Sequence, residues 1–270
     1  MSSFHVHLVS DATGETVSAL ANAAFVLFDG VEVNQHTWSL VRSEAQLQGA
    51  IRGIAEHPGL VVFTLVSRTL RVILEAACRE LKVPCLAVLD PVVSAMASYF
   101  GVVSSDQPGR QHAMDAAYFS RIDAMDFCLA HDDGQHVASL DGADVVLVGV
   151  SRTSKTPTCL YLANRGIKVG NVPLVPGIAT PAALEHLGKP LIVGLMTTPD
   201  RLLQVRRARL AALREDAETD YVDTAAVRAE LAAARKLFER HGWPVIDVTR
   251  KAIEETAAAI LSLHAEWAAR

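Results

Sequence analysis

The sequence predicts an α/β protein of two domains, an N-terminal Rossmann-like parallel sheet and a C-terminal P-loop kinase-like parallel sheet. Two observations support this fold class. Short apolar runs alternate with helical segments in both halves of the chain, as is typical of parallel sheets covered by helices. Half of the 270 residues are hydrophobic but only 6% are aromatic, a balance that suits buried strands under Ala-rich helices. We predict the domains to be 1–135 and 136–270.

The first domain contains four apolar runs that we predict to be strands: Phe4–Val9, Val31–Trp38, Leu60–Val66 and Pro84–Leu89. Helices are expected to start near Thr13, Ser43 and Ser67. Ser43 and Gln46 have the spacing of a capping box, which supports the second of these starts. The β-α-β-α order implies right-handed crossovers. No glycine-rich dinucleotide motif follows a strand, so this shape does not indicate NAD.

Between the sheets, Gly101–Arg110 is rich in Ser, Gly and Pro, and a helix is expected to run on to about Asp126. We predict a hairpin next, with strands Phe127–His131 and His136–Leu140 around the turn Asp132–Gln135. The Asp-Gly pair favours a primed hairpin turn. A hairpin tip explains Asp132 and Asp133 better than a metal site does.

The second domain repeats the alternation, with predicted strands Asp144–Val150, Ile167–Val172, Leu191–Met196 and Trp243–Thr249. Its first helix has Pro157 in the first turn and Gly166 just past the end, an asymmetry that helices prefer. Thr180 to Gly188 shows the same pattern. Further helices are expected from Thr198 and over Ile253–Trp267.

The strongest motif follows the first strand of the second domain. Gly149 is followed by four residues and then by Ser-Lys-Thr at a helix start, the layout of a phosphate-binding loop with Ser154 at the second glycine. Its backbone N–H groups and helix N-terminus suit an anionic phosphate. Lys155 is the predicted catalytic cation, and the Thr156 hydroxyl is a predicted Mg²⁺ ligand. The predicted phosphate-binding residues, called the P-loop below, are Gly149, Val150, Ser151, Arg152, Thr153, Ser154, Lys155 and Thr156.

Two features of the P-loop leave room for another interpretation. The side chain of Ser154 makes any positive φ costly, whereas glycine adopts such angles freely. A strand–turn–helix with an exposed lysine at the helix start would also fit the pattern.

A second candidate site is the loop Ser10–Thr16, where the first strand meets the first helix. Ligands bind at the carboxyl ends of parallel strands, so Asp11 or Glu15 could accept a proton from a hydroxyl group. Thr13 as a helix N-cap is an equally good explanation. We predict Asp11 as the general base, which requires this loop to face the P-loop across a cleft between the domains.

Weaker patterns surround these motifs. Residues 66–69 repeat the Val-Ser-Arg-Thr of the P-loop, although a capped helix start explains them better. Five arginines crowd one helix: Arg201, Arg206, Arg207, Arg209 and Arg214. They spread around the helix, so at most two can contact phosphate. The rest are expected to be solvated or paired with the acidic residues Glu215, Asp216, Glu218 and Asp220.

Composition excludes several classes of partner. The net charge of −5 does not suit nucleic acid, and no apolar run approaches the roughly 18 residues that would cross a membrane. The N-terminus lacks the features of a signal peptide, the four cysteines lack metal-type spacing, and the ten histidines show no zinc motif. We expect a cytoplasmic protein. Homo-oligomer formation is left open.

Several segments resemble the pyruvate, phosphate dikinase regulatory protein family. The matching segments are His7–Thr16, Gly149–Lys168, Asn171–Gly177, Val193–Leu195 with the arginine-rich helix after it, Ile246–Thr249 and Ile253–Thr256. They span nearly the whole chain. A sister branch that acts on phosphoenolpyruvate synthase has Gly-Lys-Thr where this chain has Ser154-Lys155-Thr156, so the chain resembles the dikinase branch.

The resemblance implies an unusual reaction. Members are bifunctional serine/threonine kinases and phosphorylases that use ADP as phosphoryl donor to a threonine of the dikinase, which inactivates it and releases AMP. They reverse the step with inorganic phosphate and release pyrophosphate. The P-loop would then bind ADP, with Mg²⁺ as the expected cation. From the residues alone, a small-metabolite P-loop kinase and a non-catalytic nucleotide-sensing module remain alternatives.

Overall fold

The computed structural model describes residues 3–103, 116–178, 180–213 and 220–269. The chain separates into two compact units, Met1–Ala113 and Met114–Arg270. The helix that ends at Ala130 packs on elements of the second unit. The observed division therefore falls earlier in the chain than the boundary between residues 135 and 136 predicted from the sequence.

The first unit is a four-stranded, all-parallel sheet with the strand order β2-β1-β3-β4. Its elements are β1 (Ser3–Ser10), α1 (Glu15–Phe25), β2 (Glu32–Trp38), α2 (Glu44–Glu56), β3 (Leu60–Thr64), α3 (Arg68–Glu80), β4 (Cys85–Ala87) and α4 (Asp90–Phe100). The predicted alternation is confirmed, and so is the capping box, in which Ser43 and Gln46 satisfy each other's backbone N–H groups. Strands β3 and β4 are shorter than predicted.

The second unit is also a four-stranded, all-parallel sheet, with the strand order β6-β5-β7-β8. Its elements are α5 (Ala116–Ala130), β5 (Val145–Val150), α6 (Lys155–Ala163), β6 (Val169–Leu174), β7 (Leu191–Met196), α7 (Pro199–Leu213), α8 (Thr224–His241), β8 (Val245–Asp247) and α9 (Ile253–Ala268). Strands β5 and β7 are buried at every position, because helices cover both faces of the sheet. The carboxyl end of the central strand β5 delivers the P-loop.

The predicted hairpin is wrong. Residues 127–130 belong to α5, and short 3-10 helices follow at Asp132–Gly134 and Val137–Gly142. Ala124 and Cys128, one helical turn apart, are buried in one core of the second unit, and Phe127 packs against the other. This packing favours a helix over the local turn preference of Asp-Gly.

Other predicted segments differ in part. A 3-10 helix at Ala182–His186 takes the place of the helix predicted from Thr180 to Gly188. Residues 104–110 of the Ser-, Gly- and Pro-rich stretch lie outside the described residues, as do Arg214, Glu215, Asp216 and Glu218. In the part of the chain that is described, no helix has the length and apolar character needed to cross a membrane.

Candidate phosphate-binding site

The P-loop backbone contains two strained residues. Arg152 has a φ of 74° and Ser154 a φ of 59°, both in the left-handed region, which costs an L-residue about 1–2 kcal/mol. Ser154 is the residue that caps α6. The position where the motif usually has glycine therefore adopts the conformation that glycine favours, and the strain expected at Ser154 is present.

Gly149 is required by a close approach between strands. A Cβ atom at this position would lie 2.8 Å from the carbonyl oxygen of Leu195 on β7 and 2.9 Å from Oγ1 of Thr153. The first of these contacts is with backbone, which cannot move without disturbing the sheet. The glycine therefore allows β5 and β7 to approach this closely where β5 meets the loop.

The side chain of Lys155 folds back onto the P-loop. Its side chain is buried, and Nζ donates a hydrogen bond of 2.8 Å to the carbonyl oxygen of Val150. The Thr153 hydroxyl donates to the same oxygen at 2.9 Å. Burial lowers the pKa of Lys155 to about 8, and the negative charges of Asp133 and Asp132 offset part of this effect. The ammonium is thus held where an anion bound by the loop would contact it.

A buried arginine donates a hydrogen bond to the backbone of the P-loop. Arg206 on α7 is 2% exposed and forms a two-pronged ion pair with Glu230 on α8, at 2.8 and 2.9 Å. It also donates to the carbonyl oxygens of Ser151, at 3.3 Å, and Tyr221, at 3.1 Å. The Tyr221 hydroxyl accepts from Nε of Arg152 at 3.2 Å. Both terminal nitrogens of Arg206 are occupied by protein groups, so it holds the loop in shape, while its Nε is buried without a hydrogen-bond partner in the described structure.

The Thr156 hydroxyl has polar neighbours that the sequence pattern did not suggest. It donates to Oδ1 of Asp132 over 3.1 Å. The Asn171 amide nitrogen lies 2.5 Å from the same carboxylate oxygen and 3.0 Å from the Thr156 hydroxyl. Across residues 3–103, 116–178, 180–213 and 220–269, no group of three or more His, Cys, Asp or Glu side chains is placed to hold a metal ion. A cation at Thr156 would therefore need further oxygens from a bound phosphate group.

In the first unit, Asp11 organises its own loop. The side chain is 1% exposed, and Oδ2 accepts from the backbone N–H groups of Val66, at 2.6 Å, and Ser67, at 3.4 Å. Its carbonyl oxygen accepts from Arg42 at 2.9 Å. Gly14, with a φ of 86°, occupies the N-cap position of α1 that the alternative interpretation gave to Thr13. Asp11 thus joins its loop to the Ser67 loop, and its role as a base stays a prediction.

A family model described as kinase/pyrophosphorylase matches residues 6–261. The chain belongs to the kinase/pyrophosphorylase family. Family membership implies a phosphotransferase. The match includes the whole P-loop as well as the Asp11 loop, so both candidate sites lie in the part of the chain that defines the family.

Curated relatives cover almost all of this chain. A protein from Caulobacter vibrioides is 56% identical over 96% of the chain and 82% of its own length. One from Paramagnetospirillum magneticum is 53% identical over 98% and 85%, and one from Rhodospirillum rubrum is 54% identical over 97% and 95%. All three are provisionally named pyruvate, phosphate dikinase regulatory proteins. A solved ornithine carbamoyltransferase from Coccidioides immitis, 12% identical, covers 93% of this chain and 73% of its own with a TM-score of 0.25, which is too low to bear on the fold.

The kinase/pyrophosphorylase chain also has an open cavity at the carboxyl ends of β7 and β8. Its volume is about 1070 Å³, and charged and hydroxyl side chains line it, among them Thr198, Arg201, Asp247, Thr249 and Lys251. The Asp247 carboxylate accepts from both the N–H and the hydroxyl of Thr249. Because all strands of this sheet are parallel, the cavity opens at the same edge as the P-loop.

Proposed function

We propose that this chain is a bifunctional regulator of pyruvate, phosphate dikinase. As an ADP-dependent serine/threonine kinase it phosphorylates and inactivates the dikinase on a threonine. As a phosphate-dependent phosphorylase it removes that group and releases pyrophosphate. The observation that carries the proposal is the buried Lys155 inside a strained P-loop, and the names of the relatives support the choice of target.

The P-loop suits both directions because each moves one phosphoryl group. In the forward direction the threonine hydroxyl attacks the β-phosphorus of ADP, its proton passes to a base, and AMP leaves. In the reverse direction an oxygen of inorganic phosphate attacks the phosphothreonine phosphorus, and the threonine oxygen leaves and takes up a proton. Lys155 neutralises charge on the transferred group in both steps, and the loop N–H groups position it. Mg²⁺ held by Thr156 would supply further neutralisation.

Asp11 is the proposed base in the forward direction and the proposed acid in the reverse direction. It is an acidic residue at the carboxyl end of a parallel strand, in a segment that matches the family. The adenosine part of ADP is proposed to lie in the cavity beside β7 and β8, which opens at the same sheet edge as the P-loop.

Transfer from ADP labelled on the β-phosphate tests this function. The protein is incubated with labelled ADP and with pyruvate, phosphate dikinase or phosphoenolpyruvate synthase. Label on a dikinase threonine supports the proposal, and label on the synthase moves the same chemistry to another target. Label on a small molecule indicates a metabolite kinase, and binding without transfer indicates a nucleotide sensor.

Two variants connect the transfer to the P-loop. Lys155→Ala should abolish transfer, because it removes the charge that stabilises the transferred group, an effect typically worth several kcal/mol. The matched control is Lys236→Ala on the exposed face of α8, which should keep the wild-type rate. Near-normal transfer by Lys155→Ala would refute the assignment of the P-loop.

A further inference from the structure

The turn after α5 places Asp132 beside the P-loop helix. The 3-10 helix Asp132–Gly134 packs against β6, where the backbone N–H of Asn171 donates to the carbonyl oxygen of His131 at 2.9 Å. Because β6 pairs with β5 in the sheet, this contact brings Asp132 close to the start of α6. The position of Asp132 is therefore fixed by sheet contacts as well as by its own turn.

Three polar groups meet at this point. The oxygens of Thr156 Oγ1 and Asp132 Oδ1 are 3.1 Å apart. Mg²⁺ binds oxygen in an octahedron at about 2.0–2.1 Å, so two adjacent ligand oxygens lie about 2.9 Å apart. The observed separation matches one edge of such an octahedron. The two oxygens could therefore bind one cation with little movement.

Asn171 supplies an independent sign of an additional ligand. The residue is 2% exposed, and its side-chain oxygen is buried without a hydrogen-bond partner in the described structure. A buried carbonyl oxygen left without a hydrogen bond destabilises the fold. Its amide nitrogen contacts both Asp132 and Thr156, so the unpaired oxygen lies on the side chain that joins these two residues. A water molecule on a bound cation would satisfy it.

The available ligands are those of a cation site that a bound phosphate group completes. Two protein oxygens cannot fill six coordination positions. Mg²⁺ typically takes one or two carboxylates, several waters and the oxygens of substrate phosphates. The remaining positions would therefore be filled by water and by oxygens of the bound phosphate.

We propose that Asp132 and Thr156 together bind the divalent cation that accompanies the nucleoside diphosphate, with Asn171 holding the carboxylate in place. This inference rests on the proposed function, because the cation needs phosphate oxygens from ADP. It assigns to Asp132 a direct role in cation binding, whereas the sequence analysis interpreted this residue as part of a hairpin tip.

Affinity for ADP with and without Mg²⁺ tests the site independently of activity. ADP binding is measured by calorimetry in EDTA and in saturating Mg²⁺, for wild-type protein, Asp132→Asn and Asp133→Asn. Asp133 is the matched control, because it carries the same charge near Lys155 but forms no hydrogen bond to Thr156 in the described structure. Its φ of 52° is also one that asparagine tolerates.

Wild-type protein and Asp133→Asn should bind ADP more tightly in Mg²⁺ than in EDTA. In Asp132→Asn this enhancement should fall by about tenfold or more, while affinity in EDTA stays equal or improves, because a negative charge near the phosphates is gone. An enhancement in Asp132→Asn equal to that of wild type would overturn the cation site and leave the proposed function standing. If the wild-type protein binds ADP neither in EDTA nor in Mg²⁺, both the cation site and the proposed function are overturned.

A measurement on the wild-type protein covers the case in which Asp132→Asn does not fold. Fe²⁺ is added in place of Mg²⁺ together with ADP, ascorbate and hydrogen peroxide, so that radicals formed at the bound iron cut the nearby backbone. Cleavage that depends on ADP and falls beside both Asp132 and Thr156 supports the site. Cleavage confined to other segments would overturn it.

Discussion

ADP binding should take up a proton at Lys155. The pKa of this residue is about 8 in the free protein, against 10.5 for an ordinary lysine, because burial opposes its charge. This lowering of the pKa corresponds to about 3 kcal/mol. A bound diphosphate places several negative charges beside the ammonium and should raise the pKa of Lys155 again. Free protein and complex therefore differ in protonation above neutral pH.

The size of the effect follows from the two pKa values. If ADP restores the ordinary value, binding takes up about 0.1 proton at pH 7, about 0.5 at pH 8 and about 0.9 at pH 9. ADP affinity should correspondingly fall above pH 8, approaching tenfold per pH unit up to about pH 10.5. At pH 8 and above, the phosphate groups, whose second pKa is about 6, are almost fully ionised and contribute little to the proton balance.

Calorimetry in buffers of different ionisation enthalpy measures this uptake directly. The titration is done in EDTA, so that no divalent cation contributes. Lys155→Arg is the control, because arginine keeps its charge throughout this range and should show no uptake. Uptake below about 0.1 proton at pH 8 in the wild type, or equal uptake in Lys155→Arg, would exclude Lys155 as the group that takes up the proton.

Three further predictions concern the loops and the first unit. Ser154→Gly should raise the free energy of unfolding of the second unit by about 0.5–1 kcal/mol, since relief of left-handed strain exceeds the entropy cost of glycine; a large loss of ADP affinity would instead make the Ser154 hydroxyl a ligand. Asp11→Asn, which keeps an acceptor for the Val66 N–H, should slow transfer in both directions, and a full rate in both would exclude Asp11 as the base. Burial, with repulsion from neighbouring histidines, lowers the pKa values of His7 and His36 below 6.5, so the unfolded chain binds more protons and the first unit should lose stability as pH falls below about 6.5. Hydrogen exchange in β1 and β2 that does not depend on pH in this window, after correction for intrinsic rates, would contradict this.

Much of the fold could be predicted because local signals and tertiary structure agree. The buried run of β5, the capping box at Ser43 and the helix start after Ser154 each depend on neighbours within a few residues. Repetition of these signals gave the parallel α/β class, and the alternation of the second unit was confirmed strand by strand. Such features are set by backbone geometry and hydrophobic periodicity, which a sequence displays directly.

The parts that could not be predicted depend on contacts between distant segments. The Asp-Gly pair at 133–134 suggests a hairpin locally, but burial of Cys128 in a hydrophobic core of the second unit keeps α5 helical. Because of that error, Asp132 was not included in the candidate site. Its contact with Thr156 joins residues 24 positions apart, which no local pattern displays. Arg206 was indistinguishable from its neighbouring arginines, because its partners Glu230 and Ser151 come from other elements.

In the proposed function, the P-loop transfers the β-phosphoryl group of ADP to a threonine. The most direct test compares ADP labelled on the α-phosphate with ADP labelled on the β-phosphate, each incubated with the protein and pyruvate, phosphate dikinase. We expect β-label on a dikinase threonine, α-label in AMP and unreacted ADP but not on the dikinase, and no transfer of label by Lys155→Ala. Label on the dikinase from the α-position, or transfer that requires the γ-phosphate of ATP, would contradict the proposed function.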